Sequence, residues 1–250
     1  MPDVIGVVGI SSPENARHSL FYSSLTNVAK PPHTALAHAI GSSISRNRNT
    51  IAEQALTAGA EWIWYVDDDQ LFPLDTLLKL LARNVSVVSG LYLQRDFPYV
   101  PHMYDREEEN GAVYPTHLAA GDAGLKSVLA TGAGCLLVRT EVLKHLEPPY
   151  WRLGQNGGPM GTDQWGDDID FCRRVRAKGF MTRKPTGRGV FVTFTWMANV
   201  SFRKLQNYCR ITDRAHMKIL RSLNNVWDCL ICAKLGHLSR LFYPQIKLHK

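Results

Sequence analysis

The chain has 250 residues, 45% hydrophobic and 20% charged, an ordinary composition for a soluble globular protein, with length for one large domain or one domain with an appendage. No apolar run approaches the ~20 residues that span a bilayer. The N-terminal MPDVIGVVGI carries an acid where a signal peptide carries basic residues, so a cytoplasmic protein is expected. Five cysteines, an odd number scattered through the chain, argue against a disulfide framework. The net charge of +7 is uneven: residues 184–250 hold 12 Lys and Arg against Asp213 and Asp228, for +10, and residues 1–183 hold 17 basic and 20 acidic residues, for −3. The overall basicity therefore belongs to the tail and says little about the chemistry of the body.

In chain order, VIGVVGI (4–10) is a continuous β-branched run, as in a strand covered on both faces. SSPEN (11–15) breaks it with turn residues. SISRNRNTIAEQALTAGAE, from Ser43, reads as a helix with Ile51, Ala52, Ala55 and Leu56 on one face and Gly59 as its stop. WIWYV (62–66) is the next strand. PLDTLLKLLAR, from Pro73, predicts a helix with Leu74, Leu77, Leu78 and Leu81 as its apolar stripe. VSVVSGLYL (85–93) and CLLVR (135–139) are further strands, the second leading into the short helix TEVLKHL. DDIDFCRRVRAKGF is a helix with Ile169, Cys172 and Val175 inward and Gly179 as its stop.

Strands alternating with helices predict an α/β layered fold with a mainly parallel sheet. In such sheets ligands bind beyond the carboxyl ends of the strands. After Gly179, MTRKPTGRGVFVTFTWMANVSFRKL predicts one or two strands and DRAHMKILRSLNNVWDCLICAKLGHL a helix. The Gly-, Pro- and base-rich junction at 183–189 divides a body, 1–183, from a basic C-terminal extension, 184–250.

Three clusters carry chemistry. The hydrophobic strand 62–66 runs into Asp67, Asp68 and Asp69. If the strand continues, Asp67 and Asp69 share a side, and a carboxylate pair of that kind suits Mg²⁺ or Mn²⁺ carrying substrate phosphates. A solvated acidic turn ahead of a helix is the competing reading. Asp167 and Asp168 open a predicted helix, where acids are favourable by ~0.3–1 kcal/mol. Functionally, a carboxylate beside another and beside Trp165 has the surroundings of a general base. Arg46 and Arg48 sit at a helix start, where basic residues oppose the helix dipole. Pairing with a carboxylate or phosphate would supply the reason.

The order of these motifs carries more than any one of them. An N-terminal strand is followed by RN before a helix, DDD after a hydrophobic strand, VVSGLYLQRDFPYVPHMY, ATGAGCLLVRTEVL and WGDDIDFCRRVRAKGF. The succession, over about residues 4–180, resembles the GT-A glycosyltransferases, in particular the family-2-like enzymes of bacteria and their phages. The resemblance implies a Rossmann-like GT-A fold that binds a nucleotide-diphosphate sugar. It implies that Ile10, Ser11, Ser12 and Pro13 line the nucleotide base, and that Arg46 and Asn47 border the nucleotide pocket. Asp67 and Asp69 match its D-x-D motif and would hold Mn²⁺ or Mg²⁺, with Asp67 and Asp68 facing the donor. Gly132 and Gly134 match the floor between donor and acceptor, and Trp165 would stack on an acceptor ring. Asp167-Asp168 matches a Glu-Asp pair whose second member deprotonates the acceptor hydroxyl. Asp168 is thus the expected base, with Asp167 standing where the family has Glu. Inversion by single displacement is the family expectation.

The tail departs from the family, which continues with a strand and a His that completes the metal site. Here the candidates are His216 and His237, far downstream. Cys229 and Cys232, in CLIC, match no standard zinc spacing and read as apolar helix positions. Basic residues interleaved with Phe202, Tyr208, Trp227 and Phe242 suit a solvated surface, or nucleic acid or an anionic membrane surface. The acceptor is then a glycan, a lipid-linked sugar or a modified DNA base. A sugar-nucleotidyltransferase is the nearest alternative, although SSPENARHS lacks the Gly-rich basic loop of that class. A non-catalytic nucleic-acid-binding protein leaves the acidic motifs unexplained.

Overall fold

The computed structural model describes residues 3–13, 19–41, 43–94, 100–108, 112–116, 124–155, 164–180, 190–196 and 198–199. In chain order these form β1 (Gly6–Ser12), α1 (Ser19–Asn27), β2 (Thr34–Ile40), α2 (Ile44–Thr57), β3 (Trp62–Asp67), β4 (Gln70–Leu71), α3 (Thr76–Ala82) and β5 (Val87–Leu91). There follow β6 (Met103–Glu107), β7 (Val113–Pro115), β8 (Leu125–Ser127), β9 (Ala130–Thr131), β10 (Cys135–Arg139), α4 (Thr140–Lys144), β11 (Gly154–Gln155), β12 (Gln164–Trp165), α5 (Asp167–Ala177), β13 (Val190–Trp196) and β14 (Ala198–Asn199).

The central sheet has seven strands in the order β2-β1-β3-β10-β5-β13-β8. β2, β1, β3, β5 and β13 run one way, and β10 and β8 run against them. The expected mixed α/β architecture with a mainly parallel sheet is therefore present. β13, downstream of the 183–189 junction, pairs in the body of this sheet, and the compact unit that carries it extends through Ser201. The predicted helix at 213–238, with His216, His237 and CLIC, lies outside the described residues. Among the described residues no helix is long and apolar enough to cross a membrane.

Strand alternation divides the core into two layers. Trp62, Trp64 and Val66 of β3 pack on one face with Phe21 of α1 and Leu77 and Leu80 of α3. Ile63 and Tyr65 pack on the other with Ile51 and Ala55 of α2, Leu143 of α4 and Phe171 and Val175 of α5. Two glycines of β1 allow this density. A Cβ on Gly6 would lie 2.0 Å from the Trp62 ring, and one on Gly9 would lie 2.4 Å from Ile51 Cγ2, well inside van der Waals contact. Burying each Trp removes ~150–250 Å² from water, a gross gain of about 4–6 kcal/mol.

Four local expectations are corrected. β1 runs through Ser11 and Ser12, because both pair in register with β2. α3 starts at Thr76, so Leu74 precedes the helix and is exposed; Leu80 replaces it on the buried stripe, and Leu78 faces outward. α1 and β2 occupy a stretch with no predicted element. β3 ends at Asp67, and Asp68–Asp69 form the turn into β4, so strand alternation does not set the relation of Asp67 to Asp69.

Candidate active site

The site lies at the rim where the parallel strands end. β1 delivers Ser11 and Ser12 there, with Ser11 in register with Asp67 at the end of β3. β10 is reversed, so its beginning reaches the same rim, and the N–H of Asp67 donates to the Gly134 carbonyl at 3.1 Å. Asp68 is buried, and Asp67 and Asp69 are partly exposed.

Arg48, in α2, joins the two acidic motifs. Its Nη2 donates to Asp67 Oδ1 at 3.0 Å and its Nη1 donates to Asp167 Oδ1 at 2.8 Å. Its side chain is only 6% exposed. Its guanidinium also lies over the Trp151 ring, 5.2 Å from the centroid, a cation–π geometry. Burial alone would weaken the charge, but Asp67, Asp167, Asp168 and Tyr92 overcome it and hold the guanidinium's pKa above its ordinary value. The misfit of a basic residue near the start of α2 is thus resolved by an ion-pair network with the end of β3 and the start of α5.

Trp151 is fixed in turn. Its ring stacks on Phe171 at 4.3 Å and meets Tyr65 edge-on at 4.9 Å. The Asn49 amide donates to the Trp151 carbonyl at 2.6 Å and accepts from its N–H at 3.0 Å. Asn47, two residues earlier in α2, is buried and donates to the carbonyls of Ser12 at 3.0 Å and Gly41 at 3.2 Å. It ties the end of β1 to the exit of β2.

Asp167, Asp168 and Asp170 occupy the first turn of α5, and Arg174 and Arg176 the last, so both ends complement the helix dipole. Asp170 pairs with Arg152 at 3.1 Å and Arg174 at 3.6 Å, which removes it from the site's open charge. Asp168 is half-buried and accepts from the Ile169 N–H at 2.8 Å. Burial, followed by repulsion from Asp167 and Asp67, outweighs Arg48 and pushes its carboxyl up to about 6. Gly166 makes room for it: a Cβ there would lie 2.5 Å from Asp168 Oδ1.

The floor is built on Tyr92, which is 5% exposed. Its hydroxyl accepts from the Gly134 N–H at 2.9 Å. A Cβ on Gly132 would lie 2.1 Å from that hydroxyl, and one on Gly134 would lie 2.9 Å from Asp67 Oδ2 and 3.1 Å from Gln70 Nε2. The Gly-x-Gly motif is therefore a close approach of backbone to an aromatic and a carboxylate. Burial raises the Tyr92 phenol well above its ordinary range, with Asp67 and Asp168 adding to it. His102 lies against the Tyr92 ring at 4.9 Å, and Tyr104 reaches His102 Nδ1 at 3.5 Å. Burial and then Asp168 push the Tyr104 phenol up to about 12.

The structure thus brings together Asp67, Asp167, Asp168, Gly132 and Gly134. Ile10 is buried in the core, Ser11 and Ser12 are buried at the rim, Pro13 is exposed, and Ser12 Oγ lies 2.9 Å from His38 Nε2. Arg46 is exposed on the first turn of α2; it is Arg48, two residues on, that meets the acids. Trp165 pairs through its backbone with Gly154, and its side chain lies outside the described residues, as does His237. Arg48 was legible as a charge misfit; Asn49, Tyr92, His102, Tyr104 and Trp151 gave no local signal.

Among the described residues no group of three or more His, Cys, Asp or Glu stands at metal-holding spacing. The acceptor oxygens present still suit a hard cation that shares its shell with phosphate. Asp167 Oδ2 and Gln70 Oε1 are buried with no hydrogen-bond partner among the described residues, and the bare face of Gly134 borders Asp67 Oδ2.

No protein-family model and no curated protein matches the chain. Among solved structures, it is similar to A197 from STIV, at 12% identity and TM-score 0.48, with 76% of this chain and 82% of that one covered. It is also similar to the 1–349 segment of TarS from S. aureus, at 12% identity and TM-score 0.47, with 82% of this chain covered and 63% of that one, under two thirds of its length.

Proposed function

We propose that the chain is a metal-dependent glycosyltransferase that moves a sugar from a nucleotide-diphosphate donor to an acceptor hydroxyl, with inversion. One observation carries the reading. Two acidic motifs 100 residues apart in sequence meet through Arg48 at the rim where parallel strands end, the position at which α/β sheets bind ligands. The resemblance drawn from motif order names the same acids, Asp67 and Asp167, although it names Arg46 and not Arg48.

In this reading Asp168 is the general base. A carboxyl held near 6 is ionised at neutral pH and more basic than an ordinary aspartate, which favours taking the proton from the acceptor hydroxyl. Asp67 and Asp69 would hold Mn²⁺ or Mg²⁺ on the donor side. When bound, such a cation offsets the charge that builds on the leaving nucleoside diphosphate. Gly132 and Gly134 let the backbone close onto Tyr92 and Asp67 on the acceptor side, and Tyr92 keeps that backbone rigid by accepting from Gly134. Asn47 holds the end of β1 where the base would lie.

The test is nucleotide release from a panel of UDP-, GDP- and dTDP-sugars with Mn²⁺. Release that depends on Mn²⁺ and falls at least ~100-fold in Asp168→Asn supports the reading. No release from any donor, or release unaffected by that substitution, refutes it.

A further inference from the structure

Arg48 does something that an ordinary structural ion pair does not: it occupies the space between Asp67, to which the reading above, on which this inference rests, gives the cation, and Asp167, the neighbour of the proposed base. The guanidinium takes Asp67 Oδ1 at 3.0 Å and Asp167 Oδ1 at 2.8 Å. Each acid keeps its second oxygen. Asp167 Oδ2 is buried without a hydrogen-bond partner among the described residues, in a residue that is 8% exposed. Asp67 Oδ2 faces the bare side of Gly134. Two carboxylates this close repel in a medium of low dielectric unless a positive charge lies between them.

We propose that Arg48 is a resident cation, which pre-assembles the donor-side and acceptor-side acids and competes with a divalent ion for them. With Arg48 in place one of the two carboxylate charges is offset and both Oδ1 atoms are occupied, so the metal alone binds weakly. A sugar nucleotide supplies the phosphate oxygens that make the metal stay, so metal and donor arrive as a unit. The stack of Arg48 on Trp151, itself gripped by Asn49, holds the guanidinium where it competes. A guanidinium stays protonated across the working pH range, so the competitor remains charged.

Calorimetric titration of the full chain with MnCl₂ alone tests this. Arg48→Gln is expected to bind Mn²⁺ about tenfold more tightly than the wild type. Adding Asp167→Asn is expected to return the affinity to within about threefold of it. A residue that only glued the fold together would give the opposite sign, because its loss lets the carboxylates drift apart. Equal or weaker Mn²⁺ binding by folded Arg48→Gln therefore overturns the proposal. Should that variant fail to fold by circular dichroism, Arg48→Lys decides. Its ammonium reaches one carboxylate and not both, so affinity is expected to rise about threefold; no rise overturns the proposal. Nucleotide release by the wild type is measured alongside. Its absence refutes the glycosyltransferase reading while the Mn²⁺ shift still judges Arg48, and release without the shift refutes the role of Arg48 alone.

Discussion

The side-chain amide of Asn49 clasps the main chain of Trp151 from both sides, donating to its carbonyl at 2.6 Å and accepting from its N–H at 3.0 Å. It satisfies two backbone groups at a point where no strand pairs with them, and it sets the ring on which Arg48 lies. Asn49→Ala leaves both groups without that partner and is expected to cost about 2–3 kcal/mol, read as a lower urea midpoint at unchanged slope. Asn49→Asp keeps the acceptor, loses the donor and adds a carboxylate beside the acidic site. It is expected to be at least as destabilising as the alanine variant.

The pH dependence of activity follows from Asp168. With its carboxyl held near 6, the fraction able to accept a proton falls tenfold per pH unit below that value. Log kcat/KM is expected to fall with unit slope on the acid side and to level off above about 7. A profile flat down to pH 5 contradicts the assignment.

Stability should run the other way. The folded-state value of Asp168 lies above the ordinary 3.8, so between about pH 4 and 6 the folded chain binds more protons than the unfolded one. The contribution is complete below 3.8 and is lost as pH rises through about 6. Asp168→Asn escapes that loss. Relative to the wild type, the variant is expected to gain about 1–3 kcal/mol between pH 4 and pH 8, seen as a growing Tm difference, while activity collapses. Gains for an active-site substitution are the expected sign where function is held against stability.

Gly132 and Tyr92 should couple. Gly132→Ala places a methyl 2.1 Å from the Tyr92 hydroxyl, an overpacking worth about 1–3 kcal/mol. Tyr92→Phe removes the acceptor of the Gly134 N–H and costs about 1 kcal/mol. The double variant loses the clashing oxygen, so its cost should fall short of the sum by about 1 kcal/mol in a double-mutant cycle. Strict additivity would mean that the glycine is not there to admit the tyrosine.

Much of this was readable in sequence, and the omissions have physical causes. α5 and its Gly179 stop were legible because acids, apolar spacing and glycine all agree, and Gly179 does take φ 79°. α2 was legible through its apolar face and its Gly59 stop, which takes φ 72°. β2 was not, because TALAHAI is rich in alanine, a helix former, and becomes a strand only by pairing with β1. α1 has neither acids in its first turn nor bases in its last. For the acidic triplet, pattern alone does not tell a strand that continues from one that turns after its first aspartate. Arg48 was visible as a residue in the wrong electrostatic place, but its partners lie 19 and 119 positions away. Only the fold shows that it, and not exposed Arg46, reaches them.

The reversal of β10 has a consequence for how this rim varies. A parallel strand brings its outgoing chain to the rim that carries Asp67 and its incoming chain to the opposite one. β10 exchanges these, so the stretch arriving at Gly132–Gly134 meets the outgoing ends of β3 and β5 head-on. In the proposed reading, changes in the stretch that enters β10 would alter the acceptor side while the registers of β10 with β3 and β5 stay as they are.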